Sequence, residues 1–166
     1  RLEGAPRADD LASYLHTGGT TGTPKLAART HRNEVANAWM VALAMGDDES
    51  GAVLAALPLF HTNALVVTLL APLLRGRHVV WAGPLGYREP SLLGAFWKIV
   101  ERYRIAVMSA VPTVYAVLAE RPVDADIASL RMPIVGAAPL PAALADAFRA
   151  RTGVALCEGY GLTEAT

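Results

Sequence analysis

The chain has 166 residues, of which 53% are hydrophobic, and its 15 basic side chains balance its 15 acidic ones. This composition excludes an intrinsically disordered chain and gives no positive field for a nucleic-acid partner. The longest apolar stretch, residues 64–74, contains Pro72 and is shorter than the ~20 residues that cross a bilayer, so no transmembrane segment is expected. A single cysteine, Cys157, excludes an internal disulfide and favours a reducing, cytoplasmic location.

Short apolar runs, rich in β-branched residues, predict β-strands along the chain. They do not alternate with polar residues, which is typical of strands buried on both faces of a parallel sheet. The last run contains Cys157, which we therefore expect to be an inert core thiol. The runs are residues 53–57, 78–81, 105–110, 134–135 with their neighbours, and 154–157.

Segments of helical period lie between these runs. The first covers residues 33–45 and follows Thr30, a candidate N-cap. A long helix is expected from Pro90 to about Tyr103, and a third begins at Pro141. The alternation predicts an α/β unit with a mostly parallel sheet and flanking helices. We expect one such unit over residues 1–166, cut from a larger domain.

The segment from Tyr14 to Lys25 (YLHTGGTTGTPK) is the most informative part of the sequence. Its glycines allow successive backbone N–H groups to face one concavity that suits an anion, and its hydroxyls and lysine add donors and charge. A flexible hairpin with a solvated lysine is the alternative. The segment is not a Walker A loop, because Pro24 separates the last glycine from the lysine and forbids a helical start.

Two further motifs follow in order: residues 57–65 (LPLFHTNAL), and residues 136–140 (GAAPL) with 158–164 (EGYGLTE). Together with the glycine-rich segment they resemble the signatures of the adenylate-forming superfamily, which includes acyl- and aryl-CoA synthetases. The three motifs cover nearly the whole chain but only a central slice of the family's usual length. The resemblance implies part of the larger N-terminal domain of such an enzyme, with ATP, Mg²⁺ and CoA as cofactors or co-substrates.

The resemblance also implies a role for each matching residue. The glycine-rich segment would hold the β- and γ-phosphates of ATP through Thr20, Thr21, Gly22, Thr23 and Lys25. Thr17 and Glu164 would ligate Mg²⁺, and Thr163 would contact the α-phosphate. The remaining residues would frame adenine and substrate: Gly136, Ala137, Ala138, Gly159, Tyr160 and Gly161. We expect Lys25, His61, Thr163 and Glu164 to serve catalysis.

His61 indicates the class of substrate. Amino-acid-activating members carry an aspartate directly after the aromatic residue of this motif, but here Phe60 is followed by His61. Because a buried ammonium group without a counter-charge is costly, we expect a fatty or aryl carboxylate as the small-molecule partner. In CoA ligases of the family the matching position gates the acyl pocket. A lone histidine after a buried strand is otherwise a structural hydrogen-bonding group.

Two residues depart from the family's pattern. Leu26 replaces the usual glycine after the lysine, and Gly18 stands where a hydroxyl residue is common. Two other interpretations stay open: a flavodoxin-like or receiver-like α/β binding module without adenylation chemistry, or a degenerate nucleotide sensor in which Leu26 has disabled catalysis but not binding. The 166 residues alone are expected to have no enzymatic turnover. A homodimer is one option for the longer protein that contains them.

Overall fold

A computed structural model describes residues 4–17, 25–46 and 50–165 of the chain. Two strands form an antiparallel hairpin, and five strands form a parallel sheet in the order β4-β3-β5-β6-β7. The hairpin consists of β1 (Leu11–His16) and β2 (Leu26–Thr30). The sheet consists of β3 (Ala52–Ala55), β4 (Val79–Trp81), β5 (Ile105–Ala110), β6 (Met132–Val135) and β7 (Cys157–Glu158).

Helices cover both faces of the sheet, as the buried strands predict. They are α1 (His31–Ala44), a π-helical segment (Asn63–Leu70) that continues as α2 (Ala71–Leu74), α3 (Pro90–Gly94), α4 (Phe96–Tyr103), α5 (Pro112–Glu120) and α6 (Ala142–Thr152). Two 3₁₀ turns cover Gly86–Arg88 and Thr163–Ala165. The predicted mixed α/β architecture with a parallel sheet is confirmed.

The core lies mainly between the sheet and α4, α5 and α6. Phe96, Tyr115 and Phe148 from these three helices are buried against β3 and β5, every residue of which is buried. A smaller cluster on the opposite face joins Val53 and Val107 to residues of α1 and the π-helical segment. The two central strands are therefore covered on both sides, which explains why their sequences are continuously apolar.

The predicted helix boundaries are largely confirmed. Thr30 caps α1 through a capping box, in which its hydroxyl accepts from the Asn33 backbone N–H and the Asn33 side chain accepts from the Thr30 N–H. Gly153 ends α6 in the left-handed conformation. The long helix expected from Pro90 is instead two helices, because the chain departs from helical geometry at Ala95.

Two predictions about the last strand are wrong. The run at residues 154–157 forms a strand only over Cys157–Glu158, at the edge of the sheet. Cys157 is exposed rather than buried in the core, because an edge strand this short has a partner on one side only. In the described part of the chain, no helix is both long and apolar enough to cross a membrane.

The parallel strands all end at the same edge of the sheet. The chain leaves β3 toward residues 56–62, β6 toward residues 136–140 and β7 toward residues 159–165. Two of the three sequence motifs follow these strand ends, which is the edge where open α/β sheets bind ligands.

Candidate active site

A pocket of about 380 Å³ opens where the loops after β3, β6 and β7 meet. Seven of the residues predicted from the sequence line it, although they are up to about a hundred positions apart: His61, Gly136, Ala137, Gly159, Tyr160, Gly161 and Thr163. Most of its remaining wall is apolar and comes from Leu57, Val41, Val66, Val67, Val111, Ile134 and Leu162. The structure thus brings the second and third motifs together in one concave site.

The hairpin places the first motif beside this pocket. The Thr17 N–H donates to the Lys25 carbonyl over 2.8 Å, so these two residues close the base of the loop that joins β1 to β2. The ring of His16 lies 6.0 Å from that of His61 and 6.1 Å from that of Phe60, measured between ring centroids. Thr17, one residue further, is therefore next to the second motif. Thr20, Thr21, Gly22 and Thr23 lie outside the described residues.

Two glycines allow the chain segments to approach closely at the pocket. A Cβ on Gly136 would lie 2.6 Å from Nδ2 of Asn63, and one on Gly159 would lie 3.2 Å from Cγ2 of Ile134. The Asn63 side chain is held in turn by Ser109, whose hydroxyl donates to Oδ1 over 2.9 Å. Gly136 thus lets the loop after β6 approach the second motif, and Gly159 lets the chain after β7 pack closely against β6.

The loop after β6 contains a strained residue. Ala137 has φ +69°, a left-handed conformation that costs a residue with a Cβ roughly 1–2 kcal/mol. Glu158 holds the same loop, because its Oε1 accepts from the Leu140 backbone N–H over 3.1 Å. Ala138 is exposed and does not line the pocket. Strain of this kind in a ligand-binding loop is a recognised feature of functional sites.

The chain that follows β7 presents its polar groups to solvent. Tyr160 is 91% exposed, so both faces of its ring are open at the rim of the pocket. Thr163 and Glu164 lie in a 3₁₀ turn, where Glu164 is exposed and Thr163 is half-buried. Within residues 4–17, 25–46 and 50–165, no three His, Cys, Asp or Glu side chains form a group that could hold a metal ion.

Burial and charge favour the neutral form of His61. Partial desolvation lowers its pKa below the usual 6.5, and the neighbouring His16 lowers it further. A neutral imidazole offers one donor and one acceptor at the pocket rim and adds no fixed positive charge near neutral pH.

Arg29 is a site residue that the sequence analysis missed. It lies in β2, is only 2% exposed, and contacts both the second and the third motif. Its Nη2 donates to the Thr62 hydroxyl over 2.6 Å and to the Thr163 carbonyl over 2.7 Å. Desolvation lowers its pKa, while Glu34 partly offsets this effect. A charged residue at an inward position of a short strand was the signal that could have found it.

Comparison with known proteins agrees with the geometry of the site. The model of the AMP-binding enzyme family matches residues 2–166, which is almost the whole chain. The chain belongs to the AMP-binding enzyme family. The resemblance inferred from the three motifs is thereby confirmed.

Relatives within the AMP-binding family are CoA ligases. The chain is 46% identical over 164 residues to marinolic acid–CoA ligase of a Pseudoalteromonas species, covering 95% of this chain and 25% of that protein. It is 38% identical over 159 residues to feruloyl-CoA synthase of an Amycolatopsis species, covering 95% and 31%. The chain thus spans about a quarter to a third of the length of these relatives.

Solved structures of the AMP-binding family show the same fold. O-succinylbenzoate coenzyme A synthetase of Bacillus subtilis, in complex with AMP, aligns with a TM-score of 0.82 at 30% identity, covering 96% of this chain and 31% of that one. Its complex with ATP and a magnesium ion aligns with a TM-score of 0.80 at 31% identity, covering 96% and 32%.

Proposed function

We propose that the complete protein, meaning the product of the whole reading frame that contains these residues, is an acyl-CoA synthetase. It would join a carboxylate to the α-phosphate of ATP, releasing pyrophosphate and forming an acyl adenylate. The CoA thiol would then displace AMP to give the acyl-CoA. One observation carries the proposal: the second and third motifs, distant in sequence, line one pocket at the carboxyl edge of the sheet, with the base of the first motif beside it.

The donor set suits an adenine nucleotide. Thr17 and Lys25 close the base of the glycine-rich loop between β1 and β2. The exposed side chain of Lys25 can reach a polyphosphate. Thr20, Thr21, Gly22 and Thr23 are proposed to complete this phosphate site. The exposed ring of Tyr160 can stack on a purine, and the glycines on either side of it permit close approach to the backbone.

A magnesium ion would be held by Thr17 and Glu164 together with phosphate oxygens. This ligand set fits the ion, because Mg²⁺ prefers oxygen ligands and binds through one carboxylate plus substrate phosphates in many nucleotide sites. When bound, it neutralises phosphate charge. Thr163 would orient the α-phosphate, and Lys25 would hold the pyrophosphate that leaves.

The pocket favours a carboxylate substrate with an apolar body. Seven aliphatic side chains contribute to its wall, and none of its described lining residues is acidic. An ammonium group of an amino-acid substrate would therefore lack a counter-charge, which is costly in a buried site. His61, neutral near pH 7, would stand between this pocket and the entry of the thiol. A fatty or aryl acid fits this wall, as in the feruloyl-CoA synthase relative.

Loss of either predicted polar partner of the triphosphate should abolish most of the activity. In the complete protein, Lys25→Ala and Glu164→Ala should each lower carboxylate-dependent ATP–pyrophosphate exchange at least 100-fold, since each removes charge stabilisation of about 3 kcal/mol or more in the transition state. Matched controls are Lys98→Ala, which breaks an exposed ion pair with Asp124, and Glu120→Ala at the end of α5. Exchange that persists in both site variants would contradict the proposal.

A non-catalytic nucleotide sensor remains the second candidate, and Leu26 is the observation that favours it. Its side chain is 63% exposed at the start of β2, directly after Lys25, where the family usually has glycine. A sensor would bind ATP in a calorimetric titration yet show no exchange with any carboxylate. Restored exchange in a Leu26→Gly variant would identify Leu26 as the cause.

A further inference from the structure

Arg29 links the second and third motifs to β2, the strand that follows the first motif. It is four residues after Lys25 in β2, roughly 13 Å along the strand. Its Nη2 reaches both Thr62, directly after His61, and the backbone of Thr163.

Among residues 4–17, 25–46 and 50–165, no carboxylate forms an ion pair with the Arg29 guanidinium group. The carboxylate that influences it, Glu34, accepts a hydrogen bond from the Ser13 hydroxyl. Nε and Nη1 of Arg29 are buried and have no hydrogen-bond partner in the structure. Burying a charge with unsatisfied donors is unfavourable for folding, and a well-packed apolar residue would avoid that cost. Such an arrangement needs a reason other than stability.

We propose that Arg29 is a positioning residue for the adenylation step. By holding the Thr163 carbonyl and the Thr62 hydroxyl on one nitrogen, it fixes the 3₁₀ turn of Thr163–Ala165 relative to the His61 loop. That turn carries the two groups, Thr163 and Glu164, that the proposed function assigns to the α-phosphate and the magnesium ion. The inference therefore rests on the proposed function for its chemical consequence, but the positioning itself is a property of the fold.

The expected kinetic signature is a loss in turnover rather than in substrate binding. A displaced turn would misplace Thr163 and Glu164 in the transition state, whereas much of the apolar wall, including Val41, Val66 and Val67, comes from α1 and the π-helical segment rather than from this turn. Misplacement of Glu164 would also weaken the hold on the cation. A variant that only destabilises the fold would have a lower melting temperature. It would not show a reduced kcat together with an unchanged KM for the carboxylate.

The experiment compares four variants of the complete protein. Arg29→Lys keeps the charge but loses the planar geometry of the contacts, and Thr62→Val removes an acceptor at constant shape. Thr62→Ser keeps the hydroxyl, and Arg32→Lys is the matched control on an exposed ion pair with Asp9. We expect Arg29→Lys and Thr62→Val to lower the kcat of ATP–pyrophosphate exchange at least tenfold. The KM for the carboxylate should stay within twofold, and the Mg²⁺ concentration for half-maximal rate should rise at least threefold. Thr62→Ser and Arg32→Lys should stay within twofold of the parent in all three.

Hydrogen exchange tests the positioning independently of activity. The Ala165 N–H donates to the Leu162 carbonyl over 3.2 Å and reports on the 3₁₀ turn. We expect peptides containing residues 162–165 to exchange at least fivefold faster in Arg29→Lys than in the parent or in Arg32→Lys. An unchanged rate of hydrogen exchange in these peptides would overturn the inference. So would an unchanged kcat of ATP–pyrophosphate exchange in both Arg29→Lys and Thr62→Val. If Arg29→Lys does not fold, the Thr62→Val and Thr62→Ser pair decides by the same kinetic and exchange readouts. A parent protein without ATP–pyrophosphate exchange would count against the proposed function, while hydrogen exchange would still decide the role of Arg29.

Discussion

At the scale of single residues, the site depends on groups whose charge is set by their neighbours. His61 follows Phe60, and the centroids of their two rings are 4.4 Å apart. Desolvation is the larger cause of its lowered pKa, and repulsion from a protonated His16 is the smaller one. Because the folded state lowers this pKa, the unfolded chain binds more protons at His61 as the pH falls below about 6.5. The contribution of His61 to stability is therefore present above that pH and is lost as the pH falls toward the folded-state pKa.

The titration of His61 can be measured directly. We expect its ring protons to titrate in NMR with a midpoint below 6.5, and the midpoint to move upward, toward 6.5, in His16→Gln. Removal of His16 restores only part of the shift, since desolvation remains. The matched control is His78→Gln, which alters a histidine directly before β4, at the amino edge of the sheet. A midpoint that does not respond to His16→Gln would contradict the assigned cause.

The sequence motifs lead to residues that the structure brings together, whereas the roles assigned to these residues stay predictions. Gly136, Gly159 and Tyr160 belong to recognisable patterns, and all three line the pocket. Arg29 belongs to none of the three motifs, and its partners Thr62 and Thr163 are 33 and 134 positions away, so only the folded chain brings them together. The expectation that Cys157 is buried in the core was wrong for a similar reason. An apolar run does not reveal that its strand lies at the edge of the sheet.

At the scale of elements, periodicity predicted the buried strands and the capped helix well. β3 and β5 were identified because their sequences are apolar throughout, and α1 because Thr30 precedes it. Two helical segments were missed. The residues of α5 follow β5 after Val111 without a polar turn. The π-helical segment lies in the apolar stretch of residues 64–74, which was recognised only as too short to cross a membrane. Continuous apolar sequence does not distinguish a buried helix from a strand.

The exit of β6 into its loop offers a test of stored strain. Ala137→Gly should raise the free energy of unfolding by about 1 kcal/mol, because glycine adopts a φ of +69° without the steric cost that a Cβ imposes. The matched control, Ala138→Gly, changes a neighbour whose φ is not positive and should leave stability unchanged or lower it by up to about 1 kcal/mol. Urea denaturation of the two variants measures both values. Equal changes in the two would show that Ala137 stores no strain.

At the scale of the whole molecule, topology explains why motifs far apart in sequence converge. The five strands of the sheet are parallel, so the loops after β3, β6 and β7 emerge at one edge. The hairpin joins that edge through His16 and Arg29. The sequence predicts the fold class and the edge, whereas the hydrogen bonds that fix the loops follow from side-chain packing that no local pattern records.

The isolated 166 residues should be unable to complete the proposed reaction. Binding sites for small molecules enclose most of their ligand, commonly 70–90% of its surface. Here the groups assigned to the nucleotide are open to solvent: Tyr160 is 91% exposed, and Lys25 and Glu164 are also exposed. The chain spans only 25% of marinolic acid–CoA ligase, so most of such an enzyme has no counterpart in these residues. We therefore expect no acyl-CoA formation by the 166 residues alone. Their Kd for ATP, and their Kd for a non-hydrolysable acyl-adenylate mimic, should each be at least 100-fold larger than the value for the complete protein. Calorimetry on the two samples measures these dissociation constants. Acyl-CoA synthesis by the segment, or equal affinities in the two samples, would show that the described loops alone enclose the reacting groups.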